Sequence, residues 1–253
     1  MSAKRTKGSS DLQLSMPGLG AQPDAVDAVL GLDEAGRGPM LGPMVMAVVA
    51  LSSQAAAELA ALGVTDSKRF GAGEAAHRKR SELVRKVESL ALHIEVAVID
   101  VAEIDAHVAR GQLNHLERRV AMELFGRAPR CGLIVADGKR LFDPLCRVVP
   151  GLVAEDKADA RFVPVAAASL CAKVRRDALW LAICDRYRPE FPALLQGMAG
   201  GGYVNDATRR FLRAYAEKYG RLPEETRTSW PAEFVADLLG TRQVPADPAL
   251  PWA

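Results

Sequence analysis

The chain has 253 residues, 33 basic and 31 acidic side chains, a net charge of +2, and nearly half of its residues apolar. That is enough apolar material for one large buried core. The near balance of charge excludes a histone-like tail or a strongly acidic protein, while leaving room for a local basic groove.

Residues 1–25 carry basic residues but no clean apolar stretch or cleavage site. They read as a disordered leader and not as a secretion signal. A strand should end at Leu32, followed by the turn GLDEAGRGPMLGP (Gly31 to Pro43) and a second strand over Met44–Leu51. QAAAELAALG reads as a short helix stopped by Gly63, and VTDSKRFGAGE as a polar, glycine-rich surface loop. AAHRKRSELVRKVESLAL is amphipathic, with Leu83, Val84, Val87 and Leu90 on one side; HRKR, 77–80, is expected to be a solvated face. LHIEVAVID alternates as a strand, helices are predicted over 101–110 and 111–126, and CGLIVADG is a short strand ending in Asp137.

Residues 147–165 should hold one or two short strands around a charged loop, AEDKADA, read as solvated. PVAAASLCAKVRRDALWLAICDRY is a long helix with Pro164 at its start. GMAGGGYVND is a glycine-rich loop, ATRRFLRAYAEKYG a further amphipathic helix, and TRQVPADPALPWA a Pro-rich tail over 241–253. Strands mixed with helices argue for an α/β sheet covered by helices, with a final helical segment on one end. Residues 26–240 are read as one domain that includes this helical segment. No 18-residue apolar run exists, so no transmembrane helix is expected. Cys131, Cys146, Cys171 and Cys184 have no metal-ligand spacing and read as reduced thiols of a cytoplasmic protein.

Four carboxylates stand where chemistry is often placed. Asp33 and Glu34 close the first strand, Asp137 closes another, and Asp177 lies within the long helix. Ligand sites in open α/β sheets gather beyond strand ends. Hard oxygen ligands suit Mg²⁺ or Mn²⁺ better than zinc, and the histidines at 77, 93, 107 and 115 lack HxxxH spacing. An acid after a strand is also a common helix cap or turn residue, and spacing alone favours that bland reading. Adjacent residues on a regular strand face opposite ways. Asp33 and Glu34 could therefore reach one site only if the strand ended or bulged there. Lys173, Asp177 and Ser169 share one helix face at four-residue spacing.

Together these segments resemble the ribonuclease HII family. GLDEAGRGP is similar to its G-[IV]-D-E-[AV]-G-R-G-P signature, TDSKRF to its DSK loop, VADG to its third acidic site, and AAASLCAKVRRD to its A-A-S-x-x-A-K-V-x-R-D helix. GGGYVND and TRTSW resemble its C-terminal G-Y-P-[ST]-D and R-[RKT]-[ST]-[FW] segments. The blocks occur in family order from residue 28 to about 232.

The resemblance implies a ribonuclease H-like fold, a mixed central β-sheet flanked by α-helices with a C-terminal helical segment. It implies that Asp33, Glu34, Asp137 and Asp177 bind two divalent metal ions, Mn²⁺ or Mg²⁺. It implies that Gly36, Arg37 and Gly38 read the ribose 2′-OH, that Tyr203 helps recognise the junction, and that Lys68 and Lys173 lie near the substrate. Val204, Phe70 and Ala136 depart from the family's usual proline, leucine and isoleucine; only the placement of Tyr203 is put in doubt. The implied activity is endonucleolytic cutting of RNA in RNA–DNA hybrids and 5′ of ribonucleotides embedded in duplex DNA, by a monomer of unknown protein partner. The sister family, ribonuclease HIII, and a non-cutting nucleic-acid-binding protein are the competing readings. Arg37, Asp177 and the short leader speak against the first, and the four intact acids against the second.

Overall fold

A computed structural model of the chain describes residues 25–65, 71, 74–196, 201–230 and 233–238. Five strands form one mixed sheet: β1 (Ala25–Ala35), β2 (Met44–Leu51), β3 (His93–Ile99), β4 (Cys131–Asp137) and β5 (Leu152–Glu155). Their order is β3-β2-β1-β4-β5. β1, β2 and β3 pair antiparallel, whereas β1, β4 and β5 run parallel. The carboxyl ends of β1, β4 and β5 therefore lie side by side, the place where such sheets carry ligands.

Around the sheet stand α1 (Ser53–Ala61), α2 (Glu74–Leu90), α3 (Val101–Val108), α4 (Leu113–Arg127), the short α5 (Lys139–Phe142), α6 (Val163–Tyr187), α7 (Pro192–Gln196), α8 (Asp206–Tyr219) and α9 (Glu233–Leu238). Local chemistry sets several ends. Ser52, Asp100 and Asn205 cap α1, α3 and α8 by accepting from Ala55, Glu103 and Thr208 N–H groups, and Pro164 sits in the first turn of α6. Gly220 closes α8 at φ 64°.

The sheet's two faces are distinct cores. Val45, Ala47 and Val49 of β2 pack with α1, α2 and α6; Met44, Met46 and Val48 pack with α3, α4 and the C-terminal helices. Alternation along β2 makes this division. α6 lies against β1 at Gly31, where an added Cβ would stand 2.2 Å from the backbone carbon of Pro164. That close approach carries the later turns of α6, with Ser169 and Lys173, over the end of β1.

The structure departs from the sequence reading at three places. β1 does not stop at Leu32: Asp33 and Glu34 still pair with Ala47 and Met46. The only register shift between β1 and β4 lies near Ala25–Val29, far from the acids. AEDKADA is not merely solvated, because Ala158 and Asp159 are buried and Ala158 N–H donates to Asp137 Oδ1 at 2.9 Å. HRKR is not wholly solvated either, since His77 and Arg80 turn toward α6. Lys68 and Phe70, residues 1–24 of the expected leader (1–25), and the expected tail (241–253) lie outside the described residues, and Ala25, read as leader, is the first residue of β1. The four cysteines are free thiols, Cys171 and Cys184 buried. No helix among the described residues is long and apolar enough to cross a membrane.

Candidate active site

The register Leu32↔Ala136 places Asp33 of β1 beside Asp137 of β4 on the α6 side of the sheet. Asp33 is 6% exposed. It accepts from the backbone N–H of Glu34 at 2.8 Å and from Ser169, and it lies in the field of Lys173, whose Nζ donates to Ser169 Oγ at 2.6 Å. Burial, reinforced by the negative charge of Asp137, raises the Asp33 carboxyl to about 6 in spite of those favourable contacts.

Glu34 points to the opposite face, as strand geometry requires. Burial first, then the charges of Asp33 and Glu117, push it up to about 8, with Arg37 opposing. Asp137 adds to the repulsion on both residues. Three carboxylates thus share one field at the parallel strand ends without a break in β1, because Asp33 and Asp137 lie on one face while Glu34 reaches the same edge from the other.

Asp177 is one helical turn beyond Lys173 on α6. Its Oδ2 faces His77 Nδ1 at 3.4 Å and Arg80 at 3.3 Å, both on α2. Arg80 also donates to the Gly71 carbonyl at 3.1 Å. The structure brings Asp33, Glu34 and Asp137 together and engages Asp177 with α2. Among the described residues no three His, Cys, Asp or Glu side chains already stand in a metal-holding arrangement. The donor chemistry nevertheless fits a hard divalent cation: oxygen ligands whose mutual repulsion a cation would relieve.

The turn after β1 is built with care. Gly36 has φ +83°, and its missing Cβ would stand 2.8 Å from Arg176 Nε. Arg37 extends to α4, where one guanidinium nitrogen donates to Glu117 Oε2 at 2.5 Å and the other to Asn114 Oδ1 at 2.7 Å. Gly38 lies under the Tyr203 ring, its built Cβ 3.1 Å from Cε1. Tyr203 is 52% exposed, so its ring is open to a partner. Met40 and Leu41 N–H donate to the Gly202 carbonyl, and Gly42 N–H to that of Glu225.

Sequence reasoning missed the groups behind this turn. Arg227 is fully buried and donates to the carbonyls of Gly42 at 2.9 Å, Arg37 at 2.8 Å and Gly36 at 2.6 Å. Arg176, also buried, donates to the Leu41 carbonyl at 2.8 Å. Glu117 is fully buried, with Oε1 unpartnered among the described residues, and burial raises its carboxyl to about 7 against the pull of Arg37. Arg227 and Arg176 sit inside quoted motifs, TRTSW and KVRRD, but nothing in the string says that they point inward. Glu117 carried a readable signal: four after Leu113 and three before Val120, it occupies the apolar stripe of α4.

The family model described as Ribonuclease HII matches residues 30–233. A ribonuclease HII of Thermococcus sibiricus is 32% identical over 210 residues, covering 79% of this chain and 87% of that protein. Among solved structures, the ribonuclease H2 of Pyrococcus horikoshii is similar with a TM-score of 0.69 and 28% identity, covering 83% and 96% of the two chains. The Archaeoglobus fulgidus RNase HII, solved in complex with PCNA, is similar with a TM-score of 0.66 and 30% identity, with the same coverage.

Proposed function

The chain belongs to the ribonuclease HII family, and from that premise we propose that it also cuts duplex DNA on the 5′ side of a single embedded ribonucleotide. The family assigns it endoribonuclease activity on the RNA of RNA–DNA hybrids. The observation that carries the finer reading is the adjacency of two built features. A mutually repelling carboxylate group, buried Asp33 with half-buried Glu34 and Asp137, ends β1 and β4, and the next residues, Gly36–Gly38, form a pinned turn under the exposed ring of Tyr203.

Asp33, Glu34, Asp137 and Asp177 are the residues that would hold the divalent cations, Mg²⁺ or Mn²⁺. Bound there, a pair of ions supplies an activated water, neutralises phosphate charge and stabilises the leaving oxygen, giving 3′-OH and 5′-phosphate ends. The chain's own groups do the rest. Lys173, beside Asp33 and Ser169, places a positive charge at the edge of the acids. Asp177 would leave Arg80 and His77 to join the other three. The Gly36–Gly38 turn offers its backbone to the 2′-OH, the group that distinguishes RNA from DNA. Tyr203 packs against the sugar or base beside it. All these groups come from one chain, so a monomer suffices. The PCNA complex of the Archaeoglobus relative supports a replication partner for this chain as well.

The test is cleavage of duplex DNA carrying one ribonucleotide, with Mg²⁺ and with Mn²⁺, and mapping of the cut. We expect a metal-dependent cut 5′ of the ribonucleotide. A protein that cuts a continuous hybrid but leaves the single ribonucleotide intact would refute the finer reading.

A further inference from the structure

We propose that Arg227 and the Glu117–Asn114 pair form a two-sided clamp on the Gly36–Gly38 turn, and that this clamp sets how strictly the site selects a ribonucleotide. The inference rests on the reading that this turn meets the ribose. It assigns Arg227, Glu117 and Asn114 as positioning residues, and it makes Arg37 a strap to α4 instead of a contact to phosphate.

The geometry is unusual for a surface turn. Arg227 lies 190 residues away from Arg37 in sequence, yet all three of its donor nitrogens end on carbonyls of the β1–β2 connection: Gly36, Arg37 and Gly42. A buried guanidinium normally faces a carboxylate, because an uncompensated charge is costly to bury. Here the direct partners are backbone dipoles, and Trp230 covers the guanidinium at 4.9 Å. Arg176 adds a second buried guanidinium on the Leu41 carbonyl. Only a planar fork can serve several carbonyls at fixed angles, so lysine is no substitute.

The segment carrying Arg227 is itself anchored. Thr228 N–H and Oγ1 donate to Asp105 Oδ2 at 2.7 and 2.8 Å, and Arg227 N–H donates to the Met40 carbonyl at 2.9 Å. Asp105 belongs to α3, so the clamp is tied to the body of the domain. On the other side, Glu117 and Asn114 of α4 take one nitrogen each of the Arg37 guanidinium. Turn backbone and turn side chain are thus held by different elements. A sugar hydroxyl is read by hydrogen bonds that tolerate only tenths of an ångström, and displacement by about 1 Å costs on the order of 10²-fold in rate.

Arg227→Lys and Arg37→Gln test this against the wild-type protein. For each we would measure melting temperature, duplex binding over a salt series in Ca²⁺, kcat on a single-ribonucleotide duplex, and cut positions in a DNA–RNA–DNA strand paired with DNA. The clamp predicts that Arg227→Lys lowers kcat at the single ribonucleotide on the order of 10²-fold. It should also spread the cuts over neighbouring phosphodiesters, with binding nearly unchanged. Arg37→Gln should lose about tenfold in kcat with no change in the salt slope. If Arg227→Lys does not fold, Arg37→Gln decides alone, because Arg37 is partly exposed at the surface. Folded variants that keep wild-type rate and cut position would overturn the clamp. So would an Arg37→Gln variant whose salt slope falls by about one, which marks a lost phosphate contact. A wild-type protein that cuts neither substrate would instead overturn the functional reading on which the clamp rests.

Discussion

Asp33→Asn should stabilise the protein in the absence of metal while abolishing cleavage. Asp33 is buried beside Asp137 and Glu34, and its carboxyl is raised from 3.8 to about 6. The folded chain therefore holds the Asp33 proton more tightly than the unfolded chain. The resulting stability is fully present below pH 3.8 and is lost as pH rises through about 6. At about 1.4 kcal/mol per pH unit, the ionised side chain costs the folded state about 3 kcal/mol above that range. Asparagine removes the charge but also gives up the attraction of Lys173 and part of the Ser169 contact, so a net gain of about 1–2 kcal/mol is expected. For a chain of this size that is roughly 2–8 °C in melting temperature. The assay is thermal unfolding with a chelator at pH 8 and pH 4. The gain should appear at pH 8 and nearly vanish at pH 4, where wild-type Asp33 is already protonated in the fold. Mg²⁺ should then raise the melting temperature of wild type more than that of the variant. A variant less stable than wild type at pH 8, or an equal difference at both pH values, would refute the reasoning.

Gly31→Ala should cost several kcal/mol or prevent folding, since its Cβ would sit 2.2 Å from the α6 backbone; soluble yield and melting temperature check this. Gly36→Ala combines φ +83° with a clash at Arg176, and should lose cleavage on the order of 10²-fold while the protein stays folded. Tyr203→Ala should lower cleavage at a single embedded ribonucleotide more than at a continuous hybrid, which offers many registers. Equal losses on both substrates would make Tyr203 a general binding residue. Removing residues 1–24 should leave kcat near wild type, because every site residue named here lies from Asp33 onward.

Much of the fold was legible because its signals are local. Alternating or continuous apolar runs mark the strands, and Gly63 and Pro164 mark helix ends through backbone preferences confined to a residue or two. The acids were legible as strand-end residues, but the way Asp33 and Glu34 share an edge was not. The sequence reading required a break in β1, whereas the structure uses an intact strand whose two faces deliver Asp33 toward α6 and Glu34 toward α4. The difference arises because a site at the end of a sheet is open to both faces, a property of the sheet's edge and not of the strand.

The support behind the Gly36–Gly38 turn was illegible for a different reason. Arg227, Arg176 and Glu117 are charged residues, and charge in a string reads as solvent exposure. Their burial depends on partners that composition cannot show: backbone carbonyls for the arginines and Arg37 for Glu117. A carbonyl carries no side-chain label, so a guanidinium held by three of them leaves no covarying or complementary charge for pattern reading to find. The glycines have a double function in that light. Gly36 lets the chain turn at positive φ, and the absent Cβ at Gly36 and Gly38 leaves room for Arg176 behind the turn and Tyr203 in front of it. The same two glycines that suggest a flexible loop in the sequence are what allow the loop to be gripped from both sides.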